Sequence, residues 1–334
     1  MFTELRKYPG IHHLPSWADW AELLACMNGG LSVDDFSSEI EQNKENIPSQ
    51  IDDEKPDMDT GEDELGLAER SVAEFNDKCS RRSIDVFSYI RARAEAFGGD
   101  YPFDVDVDGR YLELRESTVG RKVYLFLLAA SLFRYMGKKS DQTRIAAEFE
   151  WLAVEALKCQ LPTHSKVHLF GSNSIKPGRY QGLLRERIDR LGSDLNEDIL
   201  LDLSEFTDDD RGDNGLDIVG WVPMADGQRS MLISFGQCAC TTKWVDKQLS
   251  SSRDAWAPIF NFATDPVNFC FIPHDFRDLS GNWFRRRYLR KSLLMDRRRI
   301  IDSFRRCDDG SVVIPKALDG VIDFDFVDSC FRVY

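Results

Sequence analysis

The chain has 334 residues, of which 42% are hydrophobic and 30% are charged, and its formal net charge is −14. This length can bury a sizeable core, and the composition is that of an ordinary globular protein. No apolar run reaches the roughly 18 residues of a membrane span, and the N-terminus MFTELRKYPG has no apolar leader. The sequence therefore argues against a membrane partner and predicts a cytoplasmic protein.

Eight cysteines are spread along the chain, and none forms a CxxC pair. Paired zinc-type spacings are therefore absent from the sequence. We expect these residues to be reduced thiols, as is usual in the cytoplasm.

Residues 1–36 are predicted to form an N-terminal helical segment. The stretch LPSWADWAELLACMNGG opens with Pro15 and places Trp17, Trp20 and Leu23 at helical spacing. This pattern indicates a short amphipathic helix that ends at the paired glycines.

Most of the negative charge lies in the segment that follows. Between Ser32 and Glu69 there are 14 Asp or Glu residues against Lys44 and Lys55, which gives −12 of the total of −14. A segment so acidic and so poor in aromatic residues cannot bury enough apolar area to fold by itself. Residues 37–64 are therefore predicted to be an acidic disordered linker.

Residues 65–139 are predicted to form a mainly helical domain with one hairpin. Helical periodicity runs through LAERSVAEFNDKCSRRSIDVFSYIRARAEAFG, and YPFDVDVDGRYLELRE then alternates around Asp108 and Gly109. An Asp-Gly pair between alternating strands is a strong hairpin signal. A long apolar helix is expected over about residues 119–137.

From residue 140 the pattern changes to alternating helices and strands. A helix, a short strand and a second helix come first. Two adjacent strands, a third helix and a further strand follow. That order predicts an α/β fold with a small mixed sheet flanked by helices, preceded by the mainly helical N-terminal domain. We place this α/β domain at residues 140–275.

Two polar residues mark the adjacent strands of this domain. Asp217 lies near the start of the strand in GLDIVGWV, and Gln237 lies near the end of the strand in LISFGQCA. If the strands pair antiparallel, both side chains can converge at one end of the sheet. Carboxylate and amide oxygens suit a hard cation such as Mg²⁺. The pair is therefore predicted to be a metal site.

These pieces resemble the PD-(D/E)XK nuclease superfamily and, within it, the Mrr-type restriction endonucleases. The matching segments are FEWLAVEAL, GDNGLDIVGW and LISFGQCA, and the resemblance covers about residues 140–275. It implies a restriction-endonuclease-like core and DNA hydrolysis with Mg²⁺ or Mn²⁺. It also implies Asp217 and Gln237 as metal ligands, Glu150 as an accessory acid, and a role in restriction or antiviral defence.

One position departs from the family pattern. The family places a lysine two residues after the Glu or Gln, and here that residue is Ala239. Lys243 and Lys247 lie four residues apart on the helix that follows, and either could replace the missing lysine. We favour Lys247 slightly. Glu150 has a structural alternative, because it is one of several acids on a helix whose outer face is expected to be solvated.

The C-terminal region, residues 276–334, is predicted to be basic. From Arg277 to Arg306 there are 11 Lys or Arg residues against three Asp residues, a local charge of +8. Guanidinium groups suit phosphate contacts, and counterion release makes them a source of affinity for nucleic acid. The predicted nucleic-acid-binding residues are Arg285, Arg286, Arg287, Arg290 and Lys291. The alternative is a solvated helical face, continuing through Arg297, that pairs with acidic residues of this chain.

Two other functions remain open at this stage. The missing lysine at position 239 fits a degenerate nuclease fold that binds nucleic acid without cutting it. The acidic linker and the tryptophan-bearing helix fit a regulatory or scaffold subunit of a defence complex. No GxxxxGK[ST] loop occurs, so an NTP-driven step would need a separate NTPase or sensor subunit. The oligomeric state is left open.

Overall fold

The structure, a computed structural model, describes residues 13–42, 72–116, 118–171, 177–207, 212–241, 243–307 and 325–326. It is a mixed α/β arrangement of helices and small sheets. The main helices are α1 (Leu14–Asn28), α2 (Val33–Gln42), α3 (Val72–Phe97), α4 (Val119–Ser131), α5 (Lys139–Gln160), α6 (Leu184–Leu195), α7 (Trp244–Lys247), α8 (Arg253–Trp256) and α9 (Arg297–Cys307). The strands are β1 (Leu31–Ser32), β2 (Phe103–Val105), β3 (Tyr111–Leu114), β4 (Lys166–Leu169), β5 (Asp198–Ile199), β6 (Ile218–Trp221), β7 (Ile233–Cys238), β8 (Phe260–Asn261), β9 (Val267–Phe271) and β10 (Leu293–Met295).

The predicted N-terminal helix is confirmed as α1. Proline lies in its first turn, where its missing N–H costs nothing, and Gly29 ends it with a left-handed φ of 77°. Trp17 and Trp20 are buried against Phe36 of α2, with ring centroids 6.3 and 5.2 Å from the Phe36 ring. The helix is thus held by its aromatic face.

The predicted linker begins too early in the sequence. Residues 37–42 belong to α2, in which Phe36 and Ile40 are fully buried, and α2 packs on α3. Val33, Phe36 and Ile40 have the spacing of an amphipathic helix. The many acidic residues around them made this spacing hard to recognise in the sequence. Residues 43–64 of the predicted linker lie outside the described residues.

The predicted hairpin is confirmed as β2 and β3. The two strands pair antiparallel, with Phe103 opposite Leu114, and Gly109 in the turn has a left-handed φ of 68°. Strand β1 adds to the other edge of β3. The apolar helix predicted over about residues 119–137 ends earlier, at Ser131, and a short 3₁₀ turn follows it.

A five-stranded mixed sheet forms the centre of the second half of the chain. Its strand order is β10-β9-β7-β6-β4, in which β4, β6 and β7 are antiparallel and β7, β9 and β10 are parallel. The predicted antiparallel pairing of the two central strands is confirmed, with Ile218 opposite Gly236 and Trp221 opposite Ile233. Asp217 and Gln237 are therefore brought to the same end of the sheet.

Helices cover both faces of this sheet. Ile218 and Phe269 belong to a buried cluster that includes residues of α5 and α9. Val219 and Phe235 point to the opposite face and belong to a cluster with residues of α6 and with Trp256 of α8. Burial on both faces explains why these short strands are almost wholly apolar.

The core does not divide at the predicted domain boundaries. The larger apolar cluster includes Trp17 of α1, residues of α4 and α5, and Phe304 of α9. The predicted C-terminal region supplies an edge strand, β10, and helix α9, which packs on α5. The boundaries at 139/140 and 275/276 therefore separate stretches of sequence that share one core.

Two further expectations concern cysteines and membranes. Cys159 is disulfide-bonded, so the expectation of eight reduced thiols is wrong, while Cys26, Cys79, Cys238, Cys240 and Cys270 are free.

Within the described part of the chain, no helix has both the length and the apolarity to cross a membrane.

Candidate active site

Asp217 lies directly before β6 and is only 5% exposed. Its backbone N–H donates to the carbonyl oxygen of Gly236 at 3.0 Å, and its own carbonyl accepts from the N–H of Phe170 at 2.8 Å. The carboxylate accepts from the backbone N–H of Cys238 at 2.6 Å. Strand β7 and the residue that follows β4 thus fix the backbone of Asp217, and β7 also fixes its side chain.

Asp213 is a second carboxylate at this position, and sequence reasoning missed it. Its side chain hydrogen-bonds to Asp217, and it also accepts from the N–H of Gly215 at 2.8 Å. A Cβ atom at Gly171 would lie 3.7 Å from an oxygen of Asp213 and 3.7 Å from an oxygen of Asp217. The end of β4 therefore passes close beneath both carboxylates. The signal for Asp213 was present in GDNGLD, four residues before Asp217.

Gly215 allows this turn to form. Its φ of +77° is in the left-handed region, and a Cβ atom there would lie 2.5 Å from the Cβ of Ser250. Both the backbone conformation and the close contact require glycine. The turn therefore places Asp213 and Asp217 next to the segment that contains Ser250.

Its surroundings raise the cost of ionising Asp217. Burial raises the pKa of Asp217 well above its ordinary value, and the charges of Glu150 and Asp213 add to this effect, against the lowering by the Cys238 N–H. Carboxylates held this close cannot all be charged unless a proton or a cation lies among them. Glu150, on α5 and partly exposed, is thus near enough to act on Asp217 electrostatically.

The acidic neighbours of Glu150 on α5 form ion pairs within that helix. Glu148 and Glu155 are buried on α5, at 1% and 4% exposure, and form ion pairs with Arg144 at 2.9 Å and Lys158 at 2.6 Å. The prediction that this helix face is solvated is therefore wrong for those two residues. Both neutralise cations of their own helix. The charge of Glu150 acts on Asp217.

Gln237 contacts Asp217 directly. Its side-chain N–H donates to the carboxylate of Asp217 and to the carbonyl of Cys238 at 3.2 Å, while its oxygen lies 3.0 Å from the Ser250 hydroxyl. That hydroxyl also lies 2.6 Å from the carbonyl oxygen of Lys247. A single hydroxyl hydrogen cannot serve both oxygens.

Rotation of the Gln237 amide by 180° resolves this conflict. Its NH₂ would then donate to the Ser250 oxygen, and Ser250 would donate to Lys247 alone. The amide oxygen would face the Asp217 carboxylate and the Cys238 carbonyl. Three oxygens facing one another would repel each other unless a cation lay among them. The donor set therefore fits a divalent metal in the rotated state.

The described residues contain no ready cluster of three or more His, Cys, Asp or Glu side chains arranged to hold a metal. The set at Asp217 differs from such a cluster because one of its donors is an amide. Two carboxylates and one amide oxygen, completed by water, match the oxygen ligands that Mg²⁺ takes.

Ala239 is buried in an aromatic environment. It is 1% exposed and belongs to a cluster with Trp244 and Phe276. A lysine at this position would place its charge beside these rings. The family's lysine position is thus part of the core in this chain, and a lysine would have to come from elsewhere.

The charges of Lys247 and Asp217 both act on the buried Cys270 thiol. Burial raises the pKa of the Cys270 thiol to about 12; the charge of Asp217 also raises it, and the charge of Lys247 lowers it. Lys247 therefore lies near a group that also senses Asp217, and it is exposed at the end of α7. Lys243 precedes α7 and is also exposed.

The predicted basic residues form a loop beside α7. We call residues 283–291 the basic loop. Gln248 binds it at two points, donating to the carbonyl of Tyr288 at 2.6 Å and accepting from the N–H of Arg290 at 3.0 Å. Arg290 pairs with Asp246 at 3.1 Å, and Lys291 with Asp254 at 3.4 Å. The basic loop therefore borders the segment that carries Lys247.

Members of the basic tract differ in exposure. Arg286 and Arg287 are exposed, and Arg285 donates to the hydroxyl of Tyr288 at 2.9 Å. Arg297 is fully buried and donates to Asp19 at 2.9 Å and to the carbonyl of Pro273 at 2.9 Å. The expectation that Arg297 lies on a solvated face is therefore wrong, whereas its expected pairing with an acidic residue of this chain is confirmed by Asp19 of α1.

Arg187 of α6 is a further residue that sequence reasoning missed. Its guanidinium donates to the carbonyl of Phe170 at 3.2 Å and to the carbonyl of Gly212 at 2.7 Å. Phe170 adjoins Gly171, and Gly212 adjoins Asp213. Arg187 thus ties together the two backbone segments that flank the carboxylates.

No family model, curated protein or solved structure matches the chain. The resemblance to PD-(D/E)XK nucleases therefore stays a prediction from three sequence segments. The structure brings Asp213, Asp217 and Gln237 together at one end of a mixed sheet, and the charge of Glu150 acts on Asp217.

Proposed function

We propose that this chain is a divalent-metal-dependent nuclease of the PD-(D/E)XK type that hydrolyses DNA. The observation that carries the proposal is the contact among Asp217, Asp213 and Gln237 within the field of Glu150. Like charges around a buried carboxylate are costly unless a cation neutralises them. Structural carboxylates are normally paired with Arg or Lys, as Glu148 and Glu155 are.

Each residue has a distinct part in this proposal. Asp217 and the rotated Gln237 amide would hold Mg²⁺ or Mn²⁺, and Asp213 would add a third oxygen donor. Such an ion would polarise a water and neutralise charge on the scissile phosphate. Glu150 orients or deprotonates that water from the edge of the site. Lys247 stabilises the negative charge that develops on the phosphate.

The basic loop supplies the contacts to the DNA backbone. Arg286 and Arg287 are exposed and adjoin the segment that carries Lys247. Guanidinium groups bind phosphate without reading sequence, so they position a duplex next to the metal site. This placement supports DNA as the substrate despite the net charge of −14.

The biological setting is the part of the proposal that rests on family analogy alone. Restriction or antiviral defence in the cytoplasm is the expected role. The chain has no GxxxxGK[ST] loop, so a translocating or sensing subunit would be a separate protein.

A binding-only nuclease fold is the second candidate, and Ala239 favours it. The position of the family lysine is occupied by a buried methyl group, and a neutral amide stands where a second acid could lie. A site in which Gln237 donates to a protonated or uncharged partner would bind DNA through the basic loop without cleaving it. A regulatory or scaffold subunit would show the same lack of activity.

The test is cleavage of plasmid and linear DNA with Mg²⁺ or Mn²⁺, with EDTA as the metal-free control. Asp217→Asn should lower the rate by about two orders of magnitude or more while DNA binding, measured by fluorescence anisotropy, is retained. Asp226→Asn, which changes an exposed loop carboxylate, is the matched control and should leave the rate unchanged.

Two outcomes would decide against the proposal. Cleavage by Asp217→Asn at the wild-type rate would remove Asp217 from the mechanism. If the wild-type chain binds DNA but cleaves none of the substrates with either metal, the binding-only function replaces the nuclease.

A further inference from the structure

Two buried amide side chains contact the backbone of the basic loop. Gln248, directly after α7, is fully buried, and Asn268 of β9 is 8% exposed. Gln248 donates to the carbonyl of Tyr288 at 2.6 Å and accepts from the N–H of Arg290 at 3.0 Å. Asn268 donates to the carbonyl of Lys291 at 3.2 Å. The two amides thus bind the end of the basic loop through its backbone, whatever its side chains contact.

The hydrogen bonds of Gln248 fix the orientation of its amide. Its NH₂ group donates to the carbonyls of Val245, at 3.1 Å, and Tyr288. Its oxygen accepts from the N–H of Arg290 and, at 2.8 Å, from the hydroxyl of Ser292. Both hydrogens and both lone pairs are therefore used, and a rotated amide would set its NH₂ against the N–H of Arg290. Gln248 thus holds the loop in one conformation.

Asn268 connects this contact to the five-stranded sheet. It lies in β9 opposite Phe235 of β7. Its NH₂ group donates to the carbonyl of Gln248 at 2.7 Å as well as to Lys291, and its oxygen accepts from the hydroxyl of Ser251 at 2.8 Å. A satisfied network of buried hydrogen bonds is rigid. The basic loop is therefore joined to a fixed part of the core.

Lys291 has a backbone conformation that needs such support. Its φ of 46° lies in the left-handed region, which is unfavourable for a residue with a Cβ atom. A conformation of this kind persists where surrounding contacts determine it, and Asn268 binds the carbonyl of Lys291 itself. The Lys291 side chain is 79% exposed, and its ion pair with the exposed Asp254 is of the kind that contributes little stability. A strained backbone here presents a cation to solvent.

The contact with Tyr288 also places the arginines. The guanidinium groups of Arg285 and Arg287 lie 5.6 and 5.5 Å from the centre of the Tyr288 ring, and Arg285 donates to its hydroxyl at 2.9 Å. Arg287 and its neighbour Arg286 are exposed. Because Gln248 binds the carbonyl of Tyr288, it also holds the ring on which these cations lie.

We propose that Gln248, held by Asn268, is a positioning residue for DNA binding that orders the basic loop before DNA arrives. The proposal rests on the DNA binding proposed above. A loop that must become ordered on binding costs free energy, and a loop that is already ordered avoids this cost. Without Gln248 only a fraction of the molecules is competent to bind, and the apparent affinity falls by that fraction. The cations, and their contacts to phosphate in the complex, stay the same.

The test variant is Gln248→Met, which removes the amide and keeps a side chain of similar size. DNA binding is measured by fluorescence anisotropy of the full chain with a DNA duplex across a salt series, in EDTA so that no metal-dependent cleavage occurs. Affinity should fall by about tenfold or more at every salt concentration. The slope of log affinity against log salt should equal that of wild type, because no cation is removed. Replacement of the loop arginines would instead lower this slope.

Hydrogen exchange locates the effect. Peptides that cover residues 285–292 should exchange about tenfold faster in Gln248→Met, because the N–H of Arg290 loses its acceptor, while peptides of α3 and β6 are unchanged. Gln142→Met is the matched control: it removes a partly buried glutamine of α5 that donates to the carbonyl of Met136 at 2.8 Å, and it should bind DNA as wild type does. Ser292→Ala removes one donor to Gln248 and should weaken binding by about threefold.

Thermal midpoints show which variants are folded, and if Gln248→Met is not, Ser292→Ala decides. Wild-type affinity or unchanged loop exchange in the folded variant would overturn the role of Gln248, even where wild type binds DNA and replacement of the arginines weakens binding. A flatter salt slope in Gln248→Met would rule out ordering before binding, because phosphate contacts would then be missing from the complex itself. If wild type binds no DNA, the proposed function fails and this proposal fails with it.

Discussion

Asp217 and Asp213 share a hydrogen bond inside a site that also senses Glu150. One consequence is a dependence of stability on both pH and metal. Burial and the two neighbouring charges raise the pKa of Asp217 in the folded chain, so the folded state holds this proton more tightly than the unfolded state does. The stabilisation that this proton provides is complete below the pKa of Asp217 in the unfolded chain. It is lost as pH rises through the pKa of Asp217 in the folded chain.

We therefore predict that the metal-free chain loses stability as pH is raised above about 4, and that Mg²⁺ restores stability near pH 7 by replacing the proton. The measurement is the thermal midpoint from about pH 4 to pH 8, with EDTA or with Mg²⁺. Asp217→Asn should lack both effects. If wild type and Asp217→Asn lose stability in parallel, Asp217 does not hold the raised pKa.

Lys247 and Lys243 provide a second test at the level of single residues. Lys247→Ala should lower DNA cleavage by about a hundredfold, because one charge that stabilises the transition state is removed, while metal affinity stays unchanged. Lys243→Ala is the matched control four residues away and should retain most activity. Rates are measured at saturating Mg²⁺. Equal rates for Lys247→Ala and wild type would remove the lysine from the mechanism.

The sequence predicted part of this site for local reasons. Asp217 and Gln237 could be identified because strand alternation and one short turn bring them together. Asp213 acts through a tight turn whose geometry depends on the packing of Gly215 against Ser250. Arg187 comes from a different helix, and only the folded chain shows which carbonyls it binds.

Helix α7 is the element on which the proposed functions meet. Lys247 ends this helix, and Gln248, directly after it, ties the basic loop to the same segment. Changes in the side chains of the basic loop should therefore affect DNA affinity without altering the metal site. Arg290 and Lys291 form ion pairs within the chain, whereas the guanidinium groups of Arg285 and Arg287 lie 5.6 and 5.5 Å from the centre of the Tyr288 ring.

We predict that replacing Arg285, Arg286 and Arg287 together with Gln weakens DNA binding and flattens its salt dependence. The slope of log affinity against log salt should fall by about 0.9 for each phosphate that the variant no longer binds. Arg91→Gln, an exposed arginine of α3, is the control. The measurement is fluorescence anisotropy across a salt series. An unchanged slope would assign the three arginines to contacts within the chain.

Elements with a clear pattern in a short stretch of sequence were predicted correctly. An element whose apolar pattern lies within a strongly acidic segment was missed. The β2–β3 hairpin followed from an Asp-Gly turn, and β6 and β7 followed from two apolar strands around a polar turn. Helix α2 was missed because its acidic face dominated the composition of the surrounding segment. Its buried face depends on α1 and α3, which lie before and after it in the sequence.

At the scale of the whole molecule, the N-terminal and C-terminal segments share one core. Asp19 of α1 binds Arg93 of α3 and Arg297 of α9, and the apolar cluster around them extends to the central sheet. The sequence placed Arg297 in a basic tract because its neighbours are basic. Its burial follows from a partner 278 residues away in the chain, which no local pattern encodes.

This shared core predicts that the described part of the chain unfolds as one cooperative unit. Arg297→Ala leaves Asp19 without one of its two guanidinium partners and should destabilise the chain by about 3 to 5 kcal/mol. Arg286→Ala, an exposed arginine of the same tract, should change stability by less than about 0.5 kcal/mol. Urea unfolding is followed by tryptophan fluorescence, which reports the packing around the seven tryptophans of the chain, and by far-ultraviolet circular dichroism, which reports the helices of both halves. Coincident transitions that shift together in Arg297→Ala support one unit. Separate transitions, with only one of them shifted, would show that the N-terminal helices and the mixed sheet fold independently.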